Sequence, residues 1–534
     1  MTTTTSAVQL TGDLLIGSAD VRGTRGEVRA SDPRTGEALA PAFGLGGPKD
    51  VDRAAALAWE AFGVLRATDA GTRAAFLERV AAEIEAVAEP LVERVVAETG
   101  ITPPRVHGEL ARTANQLRLF AAVVCEGSYL GARVDPAQPD RTPLPRPDLR
   151  QRKVPLGPVA VFSASNFPLA FSVAGGDTAS AFAAGCPVVV KAHGAHPGVS
   201  EIVGRAIRAA VVATGLPEGT FSLLHGSGRG LGTALVTDPR IKAVGFTGSR
   251  SGGLALVAAA GGRPVPIPVY AEMSSVNPVF LLPGALAERG ARIGEAYVAS
   301  VATGVGQLCT SPGLVFAVEG AGLEEFLAAA AAAVRATGTS PMLNAGICSA
   351  YTEGVGRLAG APGVREVASG AEDPTVASPG RTFLFETDAE TFLREPTLRE
   401  EVFGAASLVV RVRDVEQLLD ITRELEGQLT ATVHTAAGDQ DAAARLLPEL
   451  ELLAGRILFN GWPTGVEVGH AVIHGGPFPA TSAPATTSVG TRAIERFLRP
   501  VSYQDAPAEL LPAELRDGNP LNLWRRVDGE LGRH

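Results

Sequence analysis

The pattern of hydrophobic and polar positions changes character near residue 157. Before that point, apolar residues recur at helical spacing and predict helices over 50–66, 70–98 and about 105–127. Asp50 stands where its side chain can cap the first of these helices. A Pro- and Arg-rich stretch over 135–155 then interrupts the pattern, and its segment LRQRKV alternates polar and apolar residues like a strand. We therefore expect an extended arm here rather than a flexible linker.

Short apolar runs dominate the next segment: VAVF (159–162), VVVK (188–191), FSLL (221–224), AVGF (243–246) and VPVY (267–270). Ala-rich helical stretches separate the first four, whose starts lie 22 to 33 residues apart. This spacing suits βαβ units and predicts a parallel sheet covered on both faces. Such sheets bind ligands at the carboxyl ends of their strands. A second α/β pattern begins after PVFLLPG (278–284), with a helix near 287–303, and the tail predicts a helix at about 490–498.

Composition and charge narrow the class of protein. The chain has 534 residues, of which 46% are hydrophobic and 19% charged, and its mean hydropathy is +0.16. A large core is therefore expected and global disorder is excluded. The net charge of −10 argues against a nucleic-acid or membrane-surface partner, because both favour basic patches. The N-terminus lacks the basic and apolar regions of a signal peptide, and the apolar run 326–334 is too short to span a bilayer, so we expect a cytoplasmic protein.

The four cysteines, Cys125, Cys186, Cys309 and Cys348, show no paired spacing. They predict neither a disulfide framework nor a zinc site, and no metal is expected. Cys309 stands out because it lies in GQLCTSPG (306–313), a segment too rich in glycine to be a good core. It is either a small buried hydrophobe, the usual state of a free cysteine, or a nucleophile. Cys125 and Cys186 are expected to be packing positions.

Four further stretches place polar residues at strand or helix ends. Asn166 is either a helix cap or an amide donor for an oxyanion, and Lys191 is either solvated or a ribose or phosphate contact. Gly248 and Gly253 would let a phosphate approach a helix N-terminus, although a strand-to-helix turn needs glycine in any case. Glu272 follows an apolar strand, which would push its pKa toward neutrality and suit a general base; the alternative is a structural ion pair.

Taken together and in order, these motifs resemble the aldehyde dehydrogenase superfamily. The series is the SNFP motif with Asn166, the strand-end Lys191, FTGS at 246–249, Glu272, GQLC at 306–309 and EVFG at 401–404. The segments AEMSSVNP, NGWPTGVEVGHAVIHGGPFPATS and SVGTRAIERFLRPVSYQ resemble a branch that contains α-ketoglutaric semialdehyde (2,5-dioxovalerate) dehydrogenases and a related long-chain aldehyde enzyme. The resemblance covers most of the chain.

The resemblance implies an α/β fold with three parts. A Rossmann-type parallel sheet would form the cofactor-binding domain from 1–139 and 157–284, and a second α/β domain over 285–478 would carry the nucleophilic cysteine. The segments 140–156 and 479–534 would form an oligomerisation arm and tail that pair subunits in a homodimer or homotetramer.

The resemblance also implies a mechanism of aldehyde oxidation to a carboxylic acid. The Cys309 thiolate would attack the aldehyde, the Asn166 amide and the Cys309 backbone N–H would stabilise the oxyanion, and Glu272 would activate the water that hydrolyses the thioester. Glu401 and Phe403 match positions that hold the nicotinamide ribose and the ring. The chain departs from the family at Ser274 and Ser275, where two glycines usually follow the base.

The expected cofactor is NADP, with NAD as a weaker alternative. NAD-preferring relatives often carry a glutamate three positions after the strand-end lysine, and here that position is Gly194. Arg229 matches a phosphate-binding arginine of the branch, since a guanidinium can meet a phosphate with two hydrogen bonds. The cofactor contacts implied by the resemblance are Lys191, Arg229, Phe246, Thr247, Gly248, Ser249, Gly253, Glu401 and Phe403.

The substrate expected from the branch is α-ketoglutaric semialdehyde, with a long-chain or broad-specificity aldehyde dehydrogenase as the alternative. A CoA-acylating enzyme is disfavoured because the resemblance implies that such enzymes lack the glutamate base. A non-catalytic relative is disfavoured by the joint presence of Asn166, Glu272 and Cys309. A cysteine hydrolase would need a histidine partner, for which His470 and His474 are available.

Overall fold

The βαβ segment forms the first sheet of the computed structural model, which describes residues 9–534. The strands lie side by side in the order Val269–Glu272, Ala243–Thr247, Val159–Phe162, Val188–Lys191, Phe221–Leu224, Leu14–Ile16, Ala19–Val21. The first five are mutually parallel, and the last two are antiparallel additions at one edge. The predicted parallel sheet is confirmed. The strand predicted at 267–270 begins two residues later, so that Glu272 is its last residue.

Helices cover both faces of this sheet and of the next one. In chain order their bounds are Pro48–Leu65, Ala70–Ala86, Ala88–Thr99, Pro103–Glu126, Gly176–Ala184, Pro197–Ala213, Thr233–Thr237, Arg250–Gly261, Pro283–Ala302, Leu323–Arg335, Ala345–Gly360, Ala389–Arg394, Val415–Arg423 and Gln440–Leu453. The helix predicted over 70–98 is two helices. Pro90 causes the break, because a proline ring clashes with the carbonyl four residues earlier, and the first helix ends at that residue, Ala86.

The second sheet is also seven-stranded. Its strand order is Arg365–Ser369, Phe383–Asp388, Ala406–Val412, Leu314–Val318, Val279–Leu281, Gln428–His434, Ala454–Phe459. The strand Val279–Leu281 was expected to close the first domain, whose predicted boundary is 284. It instead pairs in parallel between Leu314–Val318 and Gln428–His434, so it belongs to the second sheet. The chain therefore leaves the first sheet directly after Glu272.

The predicted arm lies in a third sheet, with the order Leu498–Gln504, Leu149–Pro155, Arg133–Asp135, Arg525–Val527, Glu530–Gly532. The arm strand Leu149–Pro155 pairs antiparallel with the tail strand Leu498–Gln504 over its whole length. Arm and tail thus pair with each other within one chain. The helix expected at about 490–498 is a 3-10 turn, Thr491–Phe497, which leads into the tail strand. The exact division of the chain into domains stays a prediction.

The carboxyl ends of the parallel strands in the first sheet bring the candidate residues to one edge. The strand register sets Phe162 beside Lys191 on one side and beside Phe246 on the other, and Thr247 beside Glu272. The loops that follow these strands are therefore neighbours. Within residues 9–534, no helix is both long and apolar enough to cross a membrane.

Candidate active site

Cys309 follows a tight left-handed turn at the end of the helix Pro283–Ala302. Gly304, Val305 and Gly306 all have positive φ, at 58°, 58° and 66°. A Cβ on Gly306 would lie 2.3 Å from the backbone of Gly404, so glycine is needed both for its φ and for this close approach. The turn therefore packs the segment GQLC directly against EVFG. It leaves Cys309 half-buried at the junction of the two large sheets.

The Cys309 thiol lies beside a buried histidine and a buried carboxylate. His474 Nε2 lies 3.3 Å from Cys309 Sγ and 2.9 Å from Glu272 Oε1. The Ser488 hydroxyl donates to Glu272 Oε2 at 2.6 Å. Because Nε2 faces a carboxylate, it is best assigned as the protonated ring nitrogen that donates to Glu272. A thiol, a carboxylate and a histidine therefore share one cluster.

The cluster shifts the pKa values of both Glu272 and Cys309. Burial alone would raise the pKa of Glu272, but the nearby His474, Ser488 and Cys309 together lower it from its ordinary value. Glu272 is thus an ionised base rather than one tuned toward neutrality. Burial, reinforced by the Glu272 charge, raises the pKa of the Cys309 thiol well above its usual range. The sulfur is therefore a thiol here, and its proton must move before or during attack.

The ligand atoms of Glu272, Cys309 and His474 all lie within 4.8 Å of one another, a spacing that could hold a metal ion. The spacing of the cysteines predicted no metal site, and it could not reveal this cluster because the three residues come from distant parts of the chain. In the sequence, His474 was a candidate only as the histidine partner of a cysteine hydrolase. The second candidate for that role, His470, is exposed and makes no contact with Cys309 among the described residues.

Asn166 lies beside the cysteine segment and caps no helix. Its side-chain amide donates to the backbone carbonyl of Gln307 at 3.1 Å, and the backbone carbonyl of Asn166 accepts from Arg105 at 3.1 Å. The next helix starts only at Gly176, so the capping alternative is wrong. The amide is thus fixed at Gln307, two residues before Cys309 in the chain. From there a small shift would aim it at an oxyanion formed next to Cys309.

The FTGS segment forms the entry to the helix Arg250–Gly261. Ser249 is its N-cap and accepts from Gly252 N–H at 3.2 Å, while Gly248 N–H donates to the Glu272 carbonyl at 3.1 Å. Phe246 and Thr247 are half-buried at the end of the preceding strand. Gly248 and Ser249 are exposed, as a helix N-terminus that receives a ligand must be.

Gly253 has a different environment from the one its motif suggested. It is buried one turn into the helix, and a Cβ there would lie 2.7 Å from the Met273 sulfur. Its lack of a side chain serves the packing of the helix on the strand that ends at Glu272. Space for a phosphate does not depend on it.

Lys191 ends its strand half-buried, and burial lowers the pKa of its amine. Within residues 9–534 the amine has neither a hydrogen-bond nor an ion-pair partner. Three residues on, Gly194 is open, since a Cβ there would meet no atom within 4 Å. Arg229 lies in the turn Gly228–Gly232 after the neighbouring strand and is exposed. This corner of the sheet edge is therefore cationic and sterically open.

Glu401 and Phe403 line a narrow cavity together with Leu308, Ser275 and other residues. Burial raises the pKa of Glu401 to about 8, opposed by a hydrogen bond from the Ser275 backbone. Leu308, the neighbour of Cys309 in the chain, lines the same cavity, and Gly404 lies against Gly306. The sequence motif EVFG thus lies next to the nucleophile.

Ser275, one of the two serines that stand where the family usually has glycines, forms a hydrogen-bond network. Its hydroxyl lies 2.9 Å from Gln428 Oε1 and 3.0 Å from Asn277 Oδ1, and it accepts from Leu429 N–H at 3.0 Å. The serine thus ties the exit of the first sheet to the second. Ser274 makes no side-chain hydrogen bond among the described residues.

The remaining cysteines have varied environments. Cys186 is buried as expected, with its sulfur 3.6 Å from the Phe497 carbonyl. Cys125 is exposed, so its expected packing role is wrong; it lies on the outer face at the end of Pro103–Glu126. Cys348 is half-buried. Cys309 is therefore the one cysteine of the described residues that contacts a histidine and a carboxylate.

Comparison with known proteins decides the family. The model of the aldehyde dehydrogenase family matches residues 21–347. The chain belongs to the aldehyde dehydrogenase family. It is an oxidoreductase, and its family acts on aldehydes with NAD or NADP.

Two curated relatives are similar over almost their whole length. Alpha-ketoglutaric semialdehyde dehydrogenase 2 of Azospirillum brasilense is 58% identical over 98% of this chain and 100% of the relative. Alpha-ketoglutaric semialdehyde dehydrogenase of Acinetobacter baylyi is 48% identical over 90% of this chain and 91% of the relative. The branch resemblance drawn from the motifs is confirmed.

Solved structures confirm the fold of this aldehyde dehydrogenase. A 3,6-anhydro-L-galactose dehydrogenase, solved in complex with NAP, has a TM-score of 0.79 at 21% identity and covers 92% of this chain and 99% of its own. Aldehyde dehydrogenase C of Pseudomonas syringae, solved with NAD⁺ and octanal, has a TM-score of 0.78 at 22% identity over 93% of this chain and 98% of its own.

Proposed function

We propose that the enzyme oxidises α-ketoglutaric semialdehyde to 2-oxoglutarate with NADP⁺ as the preferred cofactor. The observation that carries the substrate is the 58% identity to an enzyme of that name over nearly the full length of both chains. The cluster of Cys309, Glu272 and His474 supports the reaction, because it joins a nucleophile to an ionised base.

The sheet edge fits a dinucleotide phosphate. The exposed helix N-terminus at Ser249 offers free N–H groups to a pyrophosphate, while Phe246 and Thr247 line its approach. Lys191 supplies an amine without a protein partner among the described residues, and open space at Gly194 leaves room for a 2′-phosphate. Arg229 is the exposed guanidinium that would receive that phosphate.

Glu401 and Phe403 would hold the nicotinamide end. Burial keeps Glu401 protonated. Ribose hydroxyls that donate hydrogen bonds to this carboxyl would favour its ionised form. Phe403 lines the same cavity and would position the ring. When bound, the nicotinamide supplies the electron acceptor of the reaction.

The first step is the attack of Cys309 on the aldehyde carbon. The thiol is protonated, and Glu272 is an ionised acceptor with a carboxylate oxygen within 4.8 Å of Sγ, so Glu272 takes the proton as the sulfur–carbon bond forms. The developing oxyanion is stabilised by the Asn166 amide, which turns from the Gln307 carbonyl, and by the Cys309 backbone N–H. Loss of one such donor typically costs about 2.7–4 kcal/mol of barrier.

The thiohemiacetal carbon would lose a hydride to the electron acceptor and become a thioester on Cys309, and the second step is hydrolysis of that thioester. Glu272 first passes the thiol proton to solvent water, then removes a proton from the attacking water and returns it to the departing Cys309 sulfur, while His474 and Ser488 keep its carboxylate oriented. A Glu base at this position favours water over CoA as the acyl acceptor. The Ser488 hydroxyl and His474 thus position Glu272, and Glu272 transfers the proton.

The assembly and location are part of the proposal. The tail strand Leu498–Gln504 is an edge strand of the third sheet, with one side unpaired among the described residues. Such an edge can pair with another subunit, in a homodimer or homotetramer. All four cysteines are free, which suits the reducing cytoplasm.

The test is a turnover assay of the purified enzyme. We expect reduced cofactor to form from α-ketoglutaric semialdehyde and NADP⁺ without CoA, with 2-oxoglutarate as product. Replacement Cys309→Ser should abolish oxidation and leave cofactor binding intact, because an alcohol is a far weaker nucleophile than a thiolate. A serine variant that kept a tenth of the turnover, or strict dependence on CoA, would refute the assignment.

A further inference from the structure

The helix Pro103–Glu126 presents three charged residues to the loop that carries Asn166. Arg105 donates to the Asn166 carbonyl, and Glu109 accepts from the backbone N–H groups of Leu169 and Ala170 at 2.8 and 2.9 Å. Arg112, one turn further along, contacts this loop only through aromatic rings. The first two charges therefore have structural partners, and the third does not.

Arg112 is a half-buried guanidinium without a counter-ion. Its Nε and Nη2 atoms are buried and have no hydrogen-bond partner, and no carboxylate lies within 4 Å of it among residues 9–534. Its guanidinium carbon lies 5.8 Å from the ring centroid of Phe167 and 5.5 Å from that of Phe171. Buried donors without an acceptor are costly, so the Nε and Nη2 groups favour a ligand that supplies the missing oxygens.

Arg112 lies at the catalytic cluster. The ring of Phe171 lies 6.1 Å from the ring of His474, and His474 Nε2 lies 3.3 Å from Cys309 Sγ. The positive charge of Arg112 also opposes the effects that raise the pKa of the Cys309 thiol. The guanidinium is thus one aromatic ring away from the groups that surround the reacting sulfur.

We propose that Arg112 binds the carboxylate of a dicarboxylic semialdehyde and selects it over neutral aldehydes. The inference rests on the proposed function, in which the aldehyde carbon and the carboxylate stand at opposite ends of a short chain. With the aldehyde at Cys309, the two unpaired nitrogens of Arg112 can meet a carboxylate with two parallel hydrogen bonds. Phe167 and Phe171 would contact the methylene groups between the two ends.

A second arginine supports this assignment. Arg456 donates from its two terminal nitrogens to the carbonyls of Pro463 and Gly465, at 2.6 and 3.0 Å, and its Nε is buried without a partner. Burial lowers the pKa of Arg456, and the charge of Arg112 lowers it further. The two positive charges together favour an anionic substrate.

The test compares Arg112→Met with Arg112→Lys and with a control on the same helix, Arg118→Met. The control removes an exposed arginine that pairs with Glu85 and does not face the cleft. For each variant, kcat/KM is measured with α-ketoglutaric semialdehyde and with pentanal. In Arg112→Met we expect the preference for the semialdehyde to fall about 10- to 100-fold, mainly through KM, while pentanal oxidation is retained. The lysine variant should recover part of the preference, and the control should keep all of it.

Equal losses for both aldehydes, or an unchanged preference, would overturn the role of Arg112. If the wild-type enzyme oxidised neither aldehyde, the proposed function itself would be wrong. A measurement on the wild-type enzyme avoids any folding defect: pentanoate should compete with the semialdehyde at least tenfold more strongly than the isosteric pentanamide. Equal inhibition by the acid and the amide would also refute the proposal.

Discussion

Replacement Glu272→Gln separates the two halves of the proposed reaction. The substitution keeps the shape of the side chain and can retain the hydrogen bond from Ser488, but it removes the negative charge and the proton acceptor. Acyl transfer to Cys309 and the reduction of one cofactor per site should still occur, slowed by the loss of the acceptor for the thiol proton. Hydrolysis of the thioester should then become the slow step.

The size of the effect follows from the environment of Glu272. Its lowered pKa makes it fully ionised at neutral pH, so the whole population is active as a base in the wild-type enzyme. General-base catalysis contributes typically 10²–10⁴-fold, which is about 3–5 kcal/mol of barrier. We therefore expect steady-state turnover of Glu272→Gln to fall by about that factor.

The assay is rapid mixing of enzyme, NADP⁺ and aldehyde with detection of reduced cofactor. The expected trace is a burst of one equivalent per active site followed by a slow linear phase. Mass spectrometry of the quenched enzyme should find an acyl group on Cys309 of the variant but not of the wild type. Loss of the burst together with the steady state would place the limiting role of Glu272 in the earlier step and contradict the expectation that hydrolysis becomes the slow step.

Three further predictions concern cofactor choice, pH dependence and the serine that replaces glycine. Arg229→Ala should lower kcat/KM for NADP⁺ by about 10- to 100-fold and leave that for NAD⁺ unchanged, because it removes charge-assisted hydrogen bonds to the 2′-phosphate; an unchanged NADP⁺ preference, or a wild type that prefers NAD⁺, contradicts this. Glu401 keeps its proton in the folded state up to pH about 8, so without cofactor the folded state loses stability as pH rises from its ordinary pKa of 4.5. Glu401→Gln should lack that loss, so its Tm relative to wild type should be higher at pH 8 than at pH 5. The difference should correspond to a few kcal/mol at most, given about 1.4 kcal/mol per pKa unit. A Tm difference that does not depend on pH argues against a buried protonated carboxyl. Ser275→Ala should destabilise the fold by about 1–3 kcal/mol, since it leaves the buried Leu429 N–H without its acceptor, and a thermal melt no different from that of Ser274→Ala would show that this network contributes nothing.

Local patterns predicted the first sheet well, and the reason is physical. The three valines of the run VVVK are β-branched and fully buried, so the sequence of the run itself specifies a central parallel strand. The strand Val279–Leu281 has the same character, yet it lies in the second sheet although it precedes the predicted domain boundary at 284. Periodicity identifies an element but not its partners, and its position depends on Leu314–Val318 and Gln428–His434, far along the chain.

The candidate site shows the same division. Cys309, Glu272 and Asn166 could be chosen as candidates because each lies in a local motif next to a strand or helix end. His474 was not assigned to the aldehyde chemistry because nothing in its neighbourhood links it to a cysteine that lies 165 residues earlier. The pKa of Glu272 was expected to rise from burial alone, and the sign was wrong because two donors from the distant segment 474–488 outweigh the burial.

The contacts of Glu272 set the order of the two proposed steps. In the resting cluster the carboxylate receives hydrogen bonds from His474 and Ser488 and faces the Cys309 thiol, so the nearest proton it can take is that of the nucleophile. After the attack Glu272 holds the thiol proton, and it becomes a carboxylate again by passing that proton to solvent water. Once the sulfur carries an acyl group, it has no proton left to give and no charge to repel the base. The same carboxylate oxygens then face the thioester, where a water molecule becomes the next donor. One base can thus serve both steps because the covalent state of Cys309 decides which proton it meets.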